Sequence, residues 1–208
     1  NNLLALAVLS SLFERPMHPY EMVSVLKERG KDQSMKINWG SLYTVVQNLE
    51  KHGFIEAGST TRQGRRPERT VYELTEAGRQ ELLDWMRELV GVPDREYPKF
   101  EAALSVLGVL GPDEAIELLQ QRLRHLDRLI TAECATLDHL SQELPRLFLI
   151  EEEYALAMRR AEATWVRALL NDLADGSMPG VPQWRRYHET GELPPDLKGL
   201  AERGRPLD

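Results

Sequence analysis

Ser41, Thr44, Gln47 and Asn48 carry groups that both donate and accept hydrogen bonds and bear no charge, and Gly40 and Lys51 fall among them at helical spacing. Base edges and phosphate oxygens of a nucleic-acid duplex are read by that kind of chemistry. A second set follows in the chain: Arg62, Arg65, Arg66 and Arg69, against Glu68 alone, give residues 60–72 a local charge of +3. Guanidinium groups are permanently charged forks, suited to phosphate contact or to entry into a narrow minor groove.

The first set needs a helix to hold it. Asn38 suits an N-cap, because its side chain can accept from an orphan amide of the first turn. Gly53 suits the position just past the end, where a left-handed residue stops a helix. Between them Leu42, Val45, Val46 and Leu49 recur at i, i+3, i+4 and i+7 and make one apolar face. Taken alone, this is the pattern of any solvated surface helix, and the flanking elements have to decide the matter.

Upstream, Leu3 to Phe13 reads as a helix apolar nearly all round and therefore covered. It lacks a basic leading region and is too short to span a bilayer, which argues against a signal peptide or membrane segment. His18-Pro19-Tyr20 opens a second helix, with Pro19 in the first turn, Met22, Val25 and Leu26 inward and Gly30 at the end. A polar connection, Lys31 to Lys36, leads to the helix that starts near Asn38. Two short helices joined this way, the second with a polar outer face, match a helix-turn-helix. Downstream, Phe54 to Gly58 and Arg69 to Leu74 read as two strands around a Thr, Gly, Arg and Pro loop that carries the arginines. Thr75 then caps a helix running from Glu76 to Val90. The fold class is therefore mainly α: an N-terminal winged helix-turn-helix with a two-stranded wing, over residues 1–90, then an all-helical, coiled-coil-like region.

That second region covers 91–175. Ile116, Leu119, Leu123, Leu126, Ile130, Leu137, Leu140 and Leu144 alternate by three and four, with Glu133 where an apolar residue is expected. Such heptads call for a facing helix, from the same chain or from a second subunit. The expected dimerisation residues are Leu119, Leu123, Leu126, Ile130, Leu137 and Leu140. A further helix, residues 147–174, bears Tyr154, Met158 and Trp165 on one face, as an effector pocket or as plain core or dimer interface. Residues 176–208 hold 5 Gly and 5 Pro in 33 positions, a composition that argues against a long helix, with Trp184, Arg185, Arg186 and Tyr187 as candidate anchors.

The formal net charge of −7 does not oppose a nucleic-acid partner, because residues 1–90 hold 12 basic and 12 acidic side chains while the remainder hold 14 and 21. One cysteine, Cys134, excludes an internal disulfide and fits a reducing, cytoplasmic setting. The five histidines show no ligand spacing with Cys134 or a carboxylate, so no metal or other cofactor is expected. No phosphate-cradling glycine loop, strand-elbow serine or Cys/His pair suits catalysis, and an enzyme is not expected.

The first 90 residues resemble the PadR family of bacterial transcriptional regulators. The residues that carry the resemblance are His18-Pro19-Tyr20-Glu21-Met22, Gly40-Ser41-Leu42-Tyr43, Leu49 to Ile55, Gly64-Arg65-Arg66-Pro67 and Tyr72 to Gly78. The long helical second half resembles the larger-domain branch that includes virulence-gene activators. The resemblance implies a homodimeric repressor on a pseudo-palindromic operator of double-stranded DNA, released by a small, often aromatic, effector. It also implies DNA contacts from Tyr20, Ser41, Tyr43, Arg65 and Arg66. With the face and its flanks, the expected DNA-binding set is Tyr20, Lys36, Asn38, Trp39, Gly40, Ser41, Tyr43, Thr44, Gln47, Arg62, Arg65 and Arg66. Pro19 and Thr44 depart from the family's usual Gly and Pro, and Trp39 is unusually large. The competing reading is a winged-helix protein-interaction module without DNA readout.

Overall fold

Asn2 caps the first helix, α1 (Leu3–Glu14), by accepting the Leu4 amide at 3.0 Å. Leu4, Leu6, Val8, Leu9 and Leu12 are all buried, so this helix is wrapped by the rest of its unit, as its all-round apolar sequence demands. The computed structural model describes residues 2–31, 35, 38–58 and 70–192. The chain divides into two units, residues 1–96 and 97–208.

In the first unit, α1 packs against α2 (Pro19–Glu28), α3 (Leu42–Lys51), strand β2 (Tyr72–Leu74) and α4 (Glu76–Gly91). Pro19 occupies the first turn of α2, and the His18 ring nitrogen Nδ1 accepts the Tyr20 amide at 3.2 Å. Met22 and Leu26 turn inward as expected, and Gly30, at φ +66°, ends the segment. Strand β1 (Ile55–Ala57) pairs antiparallel with β2 in the register Ile55↔Leu74, Glu56↔Glu73 and Ala57↔Tyr72. Both strands are shorter than the sequence suggested. Tyr72 also pairs on its far side with Met17, through amide-to-carbonyl bonds of 3.1 Å in each direction. The core of this unit gathers Leu9, Met17, Met22, Val46, Ile55 and Leu82. Each such side chain removed from water contributes about 1.5–3 kcal/mol before ordering costs.

The second unit contains α5 (Lys99–Ser105), a 3-10 turn (Leu107–Val109), α6 (Pro112–Leu140), a second such turn (Arg146–Phe148), α7 (Ile150–Ala174) and α8 (Val181–Thr190). Helices α6 and α7 form an antiparallel hairpin, which answers part of the heptad stripe from within the chain, one of the two alternatives the sequence leaves open. Leu119 is buried with Val166, Leu170 and Leu173 of α7, and Leu126 is also buried. The facing helix therefore comes from the same chain. Leu123, Ile130, Leu137 and Leu140 are half-buried on the same helix. Glu133, the polar break in the seam, pairs with Arg159 of α7 at 2.9 Å, while Asp127 meets Arg167 at 3.0 Å and Arg122 meets Glu162 at 2.5 Å. A heptad count finds the stripe but cannot say whose helix covers it.

The Gly- and Pro-rich stretch holds a ten-residue helix, α8, bracketed by Gly180 and Gly191 at φ +93° and +73°. Trp184 Nε1 donates to the Leu110 carbonyl at 2.8 Å, and Arg185 donates twice to Asp113, at 2.5 and 2.6 Å. The Arg185 guanidinium holds the Asp113 carboxyl below its ordinary range. His188 Nε2 donates to the Gly108 carbonyl at 2.9 Å. Trp184 and Arg185 thus anchor the helix, joined by His188 rather than by Arg186. Residues 193–208 lie outside the described residues.

Candidate nucleic-acid interface

Helix α3 is held by its ends. Asn38 caps a 3-10 turn, Trp39–Ser41, by accepting the Gly40 amide at 3.1 Å, and the α-helix proper begins only at Leu42. The expected cap is therefore one turn early. Ser41 donates its hydroxyl to the Asn38 carbonyl at 2.8 Å, so Asn38 and Ser41 build the lead-in. At the other end Gly53, at φ +74°, donates to the Glu50 carbonyl at 2.9 Å and Phe54 donates to that of Leu49 at 3.0 Å. This is the paired closure that a left-handed residue makes possible.

Leu42, Val45, Val46 and Leu49 are buried beneath the helix. Gly40, Thr44, Gln47, Asn48 and Lys51 are exposed above it. The outer face thus offers the hydroxyl of Thr44 and the amides of Gln47 and Asn48 to solvent on a rigid support.

One aromatic contact joins α2 to this helix, and one cation–aromatic contact joins it to the lead-in turn. Tyr20, 63% exposed, meets Tyr43, 47% exposed, edge to face with centroids 5.9 Å apart. His18 stacks on Tyr20 at 5.6 Å. At the far end of α2 the Lys27 ammonium lies 5.3 Å from the centroid of the Trp39 ring, which itself packs on the core. Trp39 is therefore a wall of the lead-in. His18 and Lys27 were missed as candidates. The signal for Lys27 was present, since Tyr20, Ser24 and Lys27 share one face at i, i+4 and i+7.

The root of the wing is fixed by Thr75, whose hydroxyl donates toward the carbonyls of Gly53 and Phe54 at 2.7 and 3.0 Å and accepts the Gly78 amide at 3.0 Å. Burial, and then the nearby Glu50 carboxylate, raises the Tyr72 phenol above its ordinary pKa and ties β2 to α3. Lys36, Arg62, Arg65 and Arg66 lie outside the described residues.

Tyr154, Met158 and Trp165 do share one face of α7, but it points outward and each is about half exposed or more. Ile150 extends the same exposed stripe. The Trp165 ring meets Phe100 edge-on at 6.2 Å, and the Arg122 guanidinium lies 3.7 Å from the Phe100 centroid. Among the described residues no three His, Cys, Asp or Glu side chains form a group able to hold a metal ion, and no helix is long and apolar enough to cross a membrane.

Residues 8–84 match the model of the Transcriptional regulator PadR-like family. The Negative transcriptional regulator PadR of Bacillus subtilis (strain 168) is 29% identical over 118 residues, which cover 57% of this chain and 64%, just under two thirds, of that protein. Crystal structures of Bacillus subtilis PadR in complex with operator DNA and with p-coumaric acid align with TM-scores of 0.67 and 0.68 at 23% and 20% identity, over 83% of this chain and 98% and 99% of theirs. The Vibrio cholerae virulence activator AphA aligns with a TM-score of 0.57 at 19% identity, over 83% of this chain and 98% of its own. At these identities the structural likeness is one of fold: a winged helix followed by long helices.

Proposed function

From the premise that residues 8–84 belong to the Transcriptional regulator PadR-like family, we propose that this chain is a homodimeric repressor that binds a pseudo-palindromic operator in double-stranded DNA. One observation carries the reading: the outer face of α3 presents Thr44, Gln47 and Asn48 to solvent above a buried apolar face, with Tyr20 and Tyr43 paired at its leading edge. Donor-acceptor side chains on a fixed short helix suit the major groove, where each base pair shows its own pattern of groups. Tyrosine hydroxyls at the helix edge suit phosphate oxygens, which set register. Lys36, Arg62, Arg65 and Arg66 are further DNA contacts in this proposal.

Residues 1–90 serve as the DNA-binding domain, 91–175 as the dimerisation and effector domain, and 176–208 as a tail that includes α8. The dimer seam is the exposed face of α7, Ile150, Tyr154, Met158 and Trp165, since Leu119 and Leu126 are already covered within one chain. A small aromatic molecule binding at that seam would release the operator. The support for repression and for such an effector is that the Bacillus subtilis relative is a negative regulator that has been crystallised both with operator DNA and with p-coumaric acid. The protein works in the cytoplasm and carries no catalytic activity.

Selection of bound sequences by the full chain from a random duplex library tests the proposal. The expected product is an inverted repeat with half-sites about one helical turn apart. A pool that remains random after repeated rounds refutes it and leaves the protein-interaction module.

A further inference from the structure

Lys27 sits in the last turn of α2, away from the helix read as facing the bases. Its ammonium nevertheless lies over the ring of Trp39, in the lead-in to α3. Trp39 packs against the buried core of the first unit, so its ring is a fixed surface. Among the described residues no carboxylate pairs with Lys27, in contrast to Arg15 with Glu21 and Arg29 with Glu14. An aromatic face attracts a cation without neutralising it, so the charge remains available to an anion. It also narrows the positions the long flexible stem explores, which reduces the ordering cost of a later contact.

Tyr20, Ser24 and Lys27 form one exposed stripe along α2. Tyr20 touches Tyr43 at one end of that stripe and Lys27 touches Trp39 at the other. Seven residues of helix separate Tyr20 and Lys27 by about 10 Å, close to the advance of three phosphates along one strand of a duplex. A compact ammonium at that distance is a point-charge partner for a phosphate.

We infer that Lys27 is a contact to the DNA phosphate backbone flanking α3, and that Trp39 is the positioning residue that holds its ammonium there. The inference rests on the DNA-binding reading above. Trp39 itself touches no phosphate in this account, and neither residue reads a base.

The test is the salt dependence of duplex binding by the full chain, followed by fluorescence anisotropy from about 50 to about 200 mM salt. Native protein, Lys27→Gln, Lys27→Arg and Trp39→Leu are compared on a selected operator and on a scrambled duplex, with thermal melts confirming that each is folded. Lys27→Gln is expected to reduce the slope of log affinity against log salt by about 0.9 on both duplexes. Lys27→Arg keeps the native slope. Trp39→Leu weakens binding several-fold on both duplexes with the slope retained, because the charge remains but is no longer held. A Lys27→Gln protein with the native slope overturns the inference, whether or not its affinity falls, since a structural loss leaves the count of neutralised phosphates unchanged. Native protein that binds neither duplex overturns the DNA-binding reading itself, and that outcome is visible before any variant is measured.

Discussion

Among the described glycines, Gly78 is the one where an added side chain would meet the tightest contact. A Cβ added there would lie 1.9 Å from the Phe54 carbonyl oxygen, 2.8 Å from its carbon and 2.9 Å from Leu74 Cδ1. The first contact is with backbone, which cannot swing aside like a side-chain tip. That carbonyl also accepts the Thr75 amide at 3.1 Å and the Thr75 hydroxyl at 3.0 Å. Relief by more than 1 Å, against a carbon–oxygen contact of about 3.3 Å, would pull both bonds apart. Overpacking costs about 1–3 kcal/mol and each lost hydrogen bond about 0.5–1.5 kcal/mol, less about 1 kcal/mol gained from the better helix propensity of alanine. Gly78→Ala should therefore destabilise the first unit by about 1–5 kcal/mol. Gly91, in the same helix, meets nothing within 4 Å. Gly91→Ala should be neutral or stabilising by up to about 1 kcal/mol. Hydrogen exchange read by mass spectrometry on the full chain separates the two, with peptides from β1 and α3 as reporters and peptides from α6 and α7 as internal reference. Native protection of β1 and α3 in Gly78→Ala would refute the packing argument.

Further outcomes follow from the same geometry. Leu126→Ala should lower the stability of the second unit by about 2–5 kcal/mol without changing the sedimentation of the folded protein, whereas Tyr154→Glu with Trp165→Glu should leave the fold intact and shift a dimer to monomer. If the leucine variant instead dissociates, the seam has been assigned to the wrong face. Gln47→Ala should reduce affinity for a selected operator by about 1–3 kcal/mol and leave scrambled-duplex binding almost unchanged in a competition titration; equal losses on both would remove Gln47 from base readout. The carboxyl of Glu14 titrates below its ordinary range, chiefly through its hydrogen bond from Arg29. Its depressed value means that the associated stability is present above the unfolded pKa, about 4.3, and is lost as pH falls through the lower folded value. Both side chains are about half exposed, so the contribution is at most about 1 kcal/mol. Arg29→Gln should flatten the acid limb of the urea midpoint against pH by that amount, and an unchanged limb would deny the pair any role.

Much of the first unit was legible because its signals are local. The Asn38-to-Gly53 helix, the Pro19 first turn and the Thr75 cap each depend on residues within one turn of chain. The apolar face of α3 followed from period alone. What stayed hidden depends on distant chain. The heptads of α6 defined a stripe, but the partners of its Arg122, Asp127 and Glu133, which are Glu162, Arg167 and Arg159 of α7, lie 26 to 40 residues further along the chain. Composition averaged over residues 176–208 concealed α8, because Gly180 and Gly191 bound the helix instead of interrupting it. Trp39 could be placed under the helix lead-in only once α2 was seen to bring Lys27 over its ring. Helix α3 and the wing root were therefore readable from the chain, and the aromatic contacts that tie α2 to them were not.

The central claim is that the outer face of α3 distinguishes one DNA sequence from another. Its most direct measurement is an equilibrium titration of the full chain against the duplex lying upstream of its own coding sequence and against a scrambled duplex of equal length and composition, both at physiological salt. The account predicts tighter binding to the first by about a thousandfold or more, as specific recognition requires. Equal affinity for the two duplexes would contradict it.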